Sequence, residues 1–120
     1  MLEHVSHRDE LPAALSEIRR ILAPDGLFLM SVPDLEALSA LFLDKSLDLG
    51  ERLRVMSMMF GGQVDEHDFH KVGLWRDYLA ILLGQAGFKK VNQVPEFGIF
   101  KDASRTRVRD QLISLNLIIS

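Results

Sequence analysis

Cysteine is missing from all 120 residues, which removes disulfides, thiolate chemistry and cysteine-ligated zinc sites at once. Charge of one sign is also scarce: 17 acidic against 14 basic residues leave a net charge of -3, so nothing draws the chain generally to nucleic acid or an anionic membrane. No run approaches the eighteen apolar residues of a membrane-spanning helix. The opening Met1-Leu2-Glu3-His4 lacks the basic-then-apolar order of a signal peptide. A cytoplasmic location is expected by default. The glycines do not take the spacing of a phosphate-cradling loop or a dinucleotide fingerprint, and Gly61-Gly62 runs into acidic residues, the wrong surroundings for a phosphate. There is no internal repeat and no low-complexity tract.

What is there is enough for one modest domain, 48% apolar and 26% charged, both ordinary for a globular chain. The organising stretch is a helix, a turn and an apolar strand. Leu11, Leu15, Ile18 and Leu22 form one stripe of a 3.6-residue period, which predicts a helix over Asp9 to Leu22, capped by Ser6 or Asp9. Pro24-Asp25-Gly26 supplies turn chemistry. Leu27 to Val32 then lacks polar alternation, the pattern of a strand covered on both faces in a parallel sheet. Leu2-Glu3-His4-Val5 reads as the last residues of a strand whose start is missing.

Leu35, Leu38, Leu41 and Phe42 make a short helical stripe, and Leu53, Met56, Met59 and Phe60 a second. Both are expected over the C-terminal end of the sheet. Their methionines either fill core or line an adaptable apolar surface that admits a ligand. Gly61 to Gly73 is polar and punctuated by glycine, hence a loop. Leu74 to Ala86 is the clearest later helix, stopped by Gly87. A strand follows from Lys90 to Phe97 or Phe100, its Pro95 pointing to an edge or a bulge. Lys101 to Asp110 is a polar connection. Leu112 to Ile119 closes the chain as an interior strand pairing with the Lys90 strand.

His67 and His70 stand three apart among Asp65, Glu66 and Asp68. Nitrogen and oxygen donors at that density suit zinc or a harder ion, but the glycines argue against a helix that would align them. A metal set, a ligand-facing histidine in a lid and a solvated loop stay open, and no metal is assigned. Glu3 and His4 sit where a strand gives way to a helix, the edge at which open α/β sheets bind ligands. His7 is expected to be exposed. Arg105, Arg107 and Arg109 alternate as a basic edge, but with Asp102 and Asp110 near and no interleaved aromatics they read as a solvated hairpin loop.

Together Leu2-Glu3-His4-Val5, the helix end Glu17 to Leu22, Ala23-Pro24-Asp25-Gly26-Leu27-Phe28-Leu29, Val32-Pro33, Ala86-Gly87-Phe88 and Ile113 to Ile119 resemble the second half of a class I S-adenosylmethionine-dependent methyltransferase. Ala23 replaces the family's usual lysine, and Asp25 replaces the first glycine of its turn. The resemblance implies an α/β fold: the C-terminal half of a Rossmann-like sheet of order 3-2-1-4-5-7-6. What remains is a mixed three-stranded core of strands five, seven and six with flanking helices, residues 1–120 forming a single truncated domain. It places Glu3 and His4 on the cofactor side and Pro33 and His70 on the acceptor side, and it names no catalytic base. S-adenosylmethionine is the cofactor of the full-length family. The family's glycine-rich loop and ribose-binding acid should lie upstream of Leu2, so this chain alone is expected neither to bind the cofactor nor to transfer a methyl group. The strand at Leu27 to Val32 is then left at an open edge, which favours a homodimer or oligomer. The rival expectation is a non-catalytic interaction module using the same edge. The methyl acceptor is not legible.

Overall fold

A computed structural model of the chain describes residues 2–63, 66, 69–95, 97, 107–108 and 111–120. The amphipathic stripe becomes helix α1, Glu10–Ile21, with Leu11 and Leu15 fully buried. Ser6 rather than Asp9 supports its start: the Ser6 hydroxyl accepts from the Glu10 N–H at 3.4 Å, and Asp9 makes no side-chain cap. The Pro24-Asp25 turn closes with the Gly26 N–H on the Ala23 carbonyl at 2.9 Å and delivers the chain to strand β1, Phe28–Pro33.

Asp34 caps the next helix, α2, Leu35–Phe42, by accepting from the Glu36 N–H. Helix α3, Leu49–Phe60, opens with a capping box in which Asp48 and Glu51 each accept from the other's backbone, satisfying two amides that the helix itself leaves unpaired. Helix α4, Arg76–Gln85, ends in a Schellman motif: the Phe88 N–H reaches the Leu83 carbonyl at 3.0 Å and the Gly87 N–H the Gly84 carbonyl at 3.1 Å. Gly87 has φ of 101° there, a left-handed conformation that glycine adopts without steric cost.

Strand β2, Val91–Val94, is followed by the short strands β3, Arg107–Val108, and β4, Gln111–Leu112, which pair with each other, and by β5, Ser114–Ile119. The main sheet has the order β1-β5-β2. The last apolar segment is thus interior, between β1, which it meets with Phe28 opposite Ile119, and β2, which it meets with Val91 opposite Ile119.

The structure corrects several sequence expectations. Both ladders are antiparallel, so the sheet is not mixed. β1 and β2 run in the same direction but never neighbour each other, because β5 lies between them. The number of strands in this sheet, three among the described residues, is the number expected to remain in this chain. The apolar run of β1 does not mean cover on both faces: Met30 and Val32 are buried, while Leu29, which points to the opposite face, stays 42% exposed. Helices α1 and α4 supply residues to the core on the Met30 side. Leu2–His4 is a 3-10 turn, not a strand end; three residues anchored by buried Leu2 have no ladder to join. β2 ends at Val94, before Pro95, which has no N–H to continue a ladder. Phe100, Arg105 and Arg109 lie outside the described residues.

Two cores result. Leu11 and Leu15 of α1, Met30 and Val32 of β1, Leu79, Leu82 and Leu83 of α4, and Leu115, Leu117 and Ile119 of β5 make the first. Leu38, Leu41, Leu47, Val55, Val108 and Ile113 make the second, around α2 and α3. Asn116, fully buried on β5, donates through Nδ2 to the Pro95 carbonyl at 2.8 Å. Among the described residues no helix is long and apolar enough to cross a membrane.

Candidate functional site

The chain from Phe69 to Leu74 acts as a strap across the carboxyl end of β1. The Lys71 N–H donates to the Glu3 carbonyl at 2.7 Å, the His70 N–H to the Phe60 carbonyl at 3.0 Å, and the Leu35 N–H to the Leu74 carbonyl at 2.8 Å. Asp34 and Leu74 add a parallel bridge. The N-terminal turn, the end of α3 and the start of α2 are therefore tied to one short segment. Gly73 permits its close passage: a Cβ there would meet Leu35 Cδ2 at 2.8 Å.

All four site residues expected from the sequence meet at this point. Glu3, Pro33 and His70 border one small cavity of about 10 Å³ with Leu35, Leu38, Met59, Val72 and Gly73, about the space of a single water. The His4 ring stands edge-on to His70, centroids 4.7 Å apart at 86°. His4 Nε2 lies 3.8 Å from Glu3 Oε1. His70 also lines an open cleft of about 210 Å³ with Leu35, Met59, Phe60, Lys71, Val72 and Gly73. Met58 and Met59 pack against the second core, and Met59 also lines both cavities.

Both histidines are held by backbone carbonyls. His4 Nδ1 is 2.9 Å from the Phe69 carbonyl and His70 Nδ1 3.0 Å from that of Met58. A carbonyl only accepts, so each Nδ1 carries the proton, and in the neutral ring Nε2 keeps its lone pair. Burial pushes the Glu3 carboxyl up, but hydrogen bonding and nearby positive charge outweigh it and leave the group below the usual carboxylate range. Glu3 is therefore ionised at neutral pH. Burial raises Asp34, and the Glu36 and Ala37 amides offset this only in part.

Glu3, His4 and His70 each present a nitrogen or oxygen donor, all within 4.8 Å of one another. The cluster thus offers two imidazole lone pairs and a carboxylate. Reading the residues alone paired His70 with His67 instead; His67, Asp65 and Asp68 lie outside the described residues. The Phe69 and Met58 carbonyls escaped that reading because every residue type carries a carbonyl, so nothing in the sequence marks these two. His7 is exposed, as expected.

The other feature predicted to matter is the outer edge of β1. Leu2, Ile18 and Phe28 to Val32 line a crevice of about 140 Å³ there, and Ser31 Oγ is buried with no hydrogen-bond partner. No protein-family model matches the chain, and no curated protein does.

Proposed function

We propose that this chain is the C-terminal portion of an S-adenosylmethionine-dependent methyltransferase, supplying the acceptor side of a Rossmann-like sheet and binding no cofactor by itself. One observation carries the reading: the adjacent Glu3 and His4, Pro33 and His70, from three well-separated places in the chain, converge at the carboxyl end of β1, where α/β sheets bind their ligands. The open β1 edge, with its crevice beside Phe28 to Val32, supports it as the position for a neighbouring strand. In such an enzyme this half aligns the acceptor and excludes water, which accounts for much of the rate of methyl transfer.

The test is the coding sequence immediately upstream of the Met1 codon, combined with calorimetric titration of S-adenosylmethionine into the 120-residue chain. An in-frame strand followed by a glycine-rich loop, and no binding to the chain alone, is the expected pair of results. Absence of that upstream pattern defeats the reading. Micromolar cofactor binding by the chain alone defeats the claim that the other half is required.

A second reading rests on the exposed Leu29 at the same edge: an interaction module, or a homodimer joined edge to edge through β1. Light scattering at micromolar concentration distinguishes them. A dimer that Leu29→Lys converts to monomer favours this reading, and a stable wild-type monomer removes the homodimer.

A further inference from the structure

We propose that Glu3, His4 and His70 form a binding site for one Zn²⁺ ion, with two imidazole Nε2 atoms and a carboxylate oxygen as its protein ligands. The proposal stands apart from the methyltransferase reading, since it needs neither cofactor nor acceptor.

Three observations carry it. The first is the donor set and its spacing. Two neutral imidazoles and one carboxylate suit zinc, whose sites with an open position commonly have three protein ligands of this kind. Zn–N and Zn–O bonds near 2.0–2.1 Å put tetrahedral ligand atoms about 3.4 Å apart. Glu3 Oε1 and His4 Nε2 are already at 3.8 Å, and one donor atom from each of Glu3, His4 and His70 lies within 4.8 Å of the others. Bringing the widest-spaced donors to that distance takes a shift of up to about 1.4 Å.

The second is the outer shell. Ligating histidines almost always donate their other ring N–H to a carbonyl or carboxylate, which fixes the tautomer and aims the free nitrogen. Both histidines do so, to Phe69 and to Met58. These contacts come from backbone outside the donor set. They hold both rings in the tautomer that leaves Nε2 able to bind a metal.

The third is the surrounding field. Met58 and Phe60 lie in the last turn of α3, where helix carbonyls lack intrahelical partners and carry the negative end of the dipole. His70 accepts nothing from them; it donates its ring N–H to Met58 and its backbone N–H to Phe60. A cation beside His70 is favoured by that helix end and by the ionised Glu3. Because His70 also borders the open cleft, an ion held there keeps access to solvent on that side. The coordination left over by three protein ligands is then available to water or a small anionic ligand.

The experiment is calorimetric titration of ZnCl₂ into the chelator-treated 120-residue chain, repeated with His4→Gln, His70→Gln and Glu3→Gln. His7→Gln serves as a control on an exposed histidine outside the cluster. One site is expected in the wild type. Each cluster variant should lose more than about tenfold in affinity, the range that removal of an outer-shell partner alone brings, and the control should match wild type. No uptake by wild type overturns the proposal, as does equal uptake by a His4→Gln or His70→Gln chain whose far-UV circular dichroism is unchanged. If the variants fail to fold, Co²⁺ added to the wild-type chain decides. Visible absorption of a four- or five-coordinate, nitrogen-ligated ion supports the site, and the weak spectrum of the hydrated ion rejects it.

Discussion

The two cores of this small protein are built from similarly apolar sequence and reach different ends. Around the sheet, α1 and α4 each turn a stripe of leucines toward β1 and β5, and Leu11, Leu15, Leu79, Leu83, Leu115 and Leu117 are all fully buried. Around α2 and α3 the apolar residues are spread about the helices, and only one side of each finds a partner. Leu38 and Val55 are buried, whereas Leu43 is 76% exposed, Leu49 75% and Leu53 51%. Phe42, Leu47, Leu49, Arg52, Leu53 and Met56 line an open groove of about 430 Å³, with the Arg52 guanidinium 4.5 Å from the centre of the Phe42 ring. The lesson concerns layers. A helix facing a sheet meets a surface broad enough to cover its stripe, while two short helices facing each other cover only a seam.

Four measurements break or sharpen that contrast. Leu117→Ala removes a fully buried side chain from the central strand and is expected to cost about 3 kcal/mol in urea denaturation. A cost under about 1 kcal/mol would mean that the sheet core is loosely packed. Val55→Ala tests whether the α2–α3 cluster is a core in the same sense. Two buried carbons at about 0.8 kcal/mol each predict a loss of about 1.6 kcal/mol, and no loss would reduce the cluster to surface.

Asp34 links the two regions, sitting between β1 and α2, and its raised carboxyl gives a pH signature. The folded state holds the Asp34 proton more tightly than the unfolded chain does. Its contribution is therefore fully present below the ordinary aspartate range and is lost as pH rises through the raised folded value. Asp34→Asn keeps an acceptor for the Glu36 N–H and removes the half-buried charge. It should be the more stable form at neutral pH by less than either truncation costs, with the advantage disappearing in acid. A difference that does not change with pH would argue against burial as the cause. Smallest of all, Leu53→Gln on the exposed side of α3 should shift stability by no more than about 0.5 kcal/mol. A loss like that of Val55→Ala would show that the groove is covered in solution.

Periodicity made the helices legible, because α1, α2, α3 and α4 each place leucine or methionine at helical spacing, and Asp34, Asp48 and Gly87 mark ends by their own chemistry. The interior position of β5 followed from the run Leu115 to Ile119. The face of β1 did not, since an apolar run cannot tell one covered face from two. Leu2–His4 is too short to display any period. The candidate site was half legible. Glu3, His4, Pro33 and His70 were singled out, but their meeting depends on the strap's backbone hydrogen bonds to Glu3, Phe60 and Leu35, which carry no side-chain signature. Sequence proximity alone therefore groups His70 with His67 rather than with His4.

The central position of β5 has a consequence during synthesis. Pro33 of β1 pairs with Ser114, so about eighty residues must leave the ribosome after β1 before its partner exists. At roughly 5–20 residues per second that is a wait of several seconds, during which neither β1 nor β2 has the strand that joins them. Helices α1 to α4 can nucleate locally in that interval, but the sheet forms only as a late event. Nascent β1 therefore waits with neither edge paired until residues 114–119 have emerged.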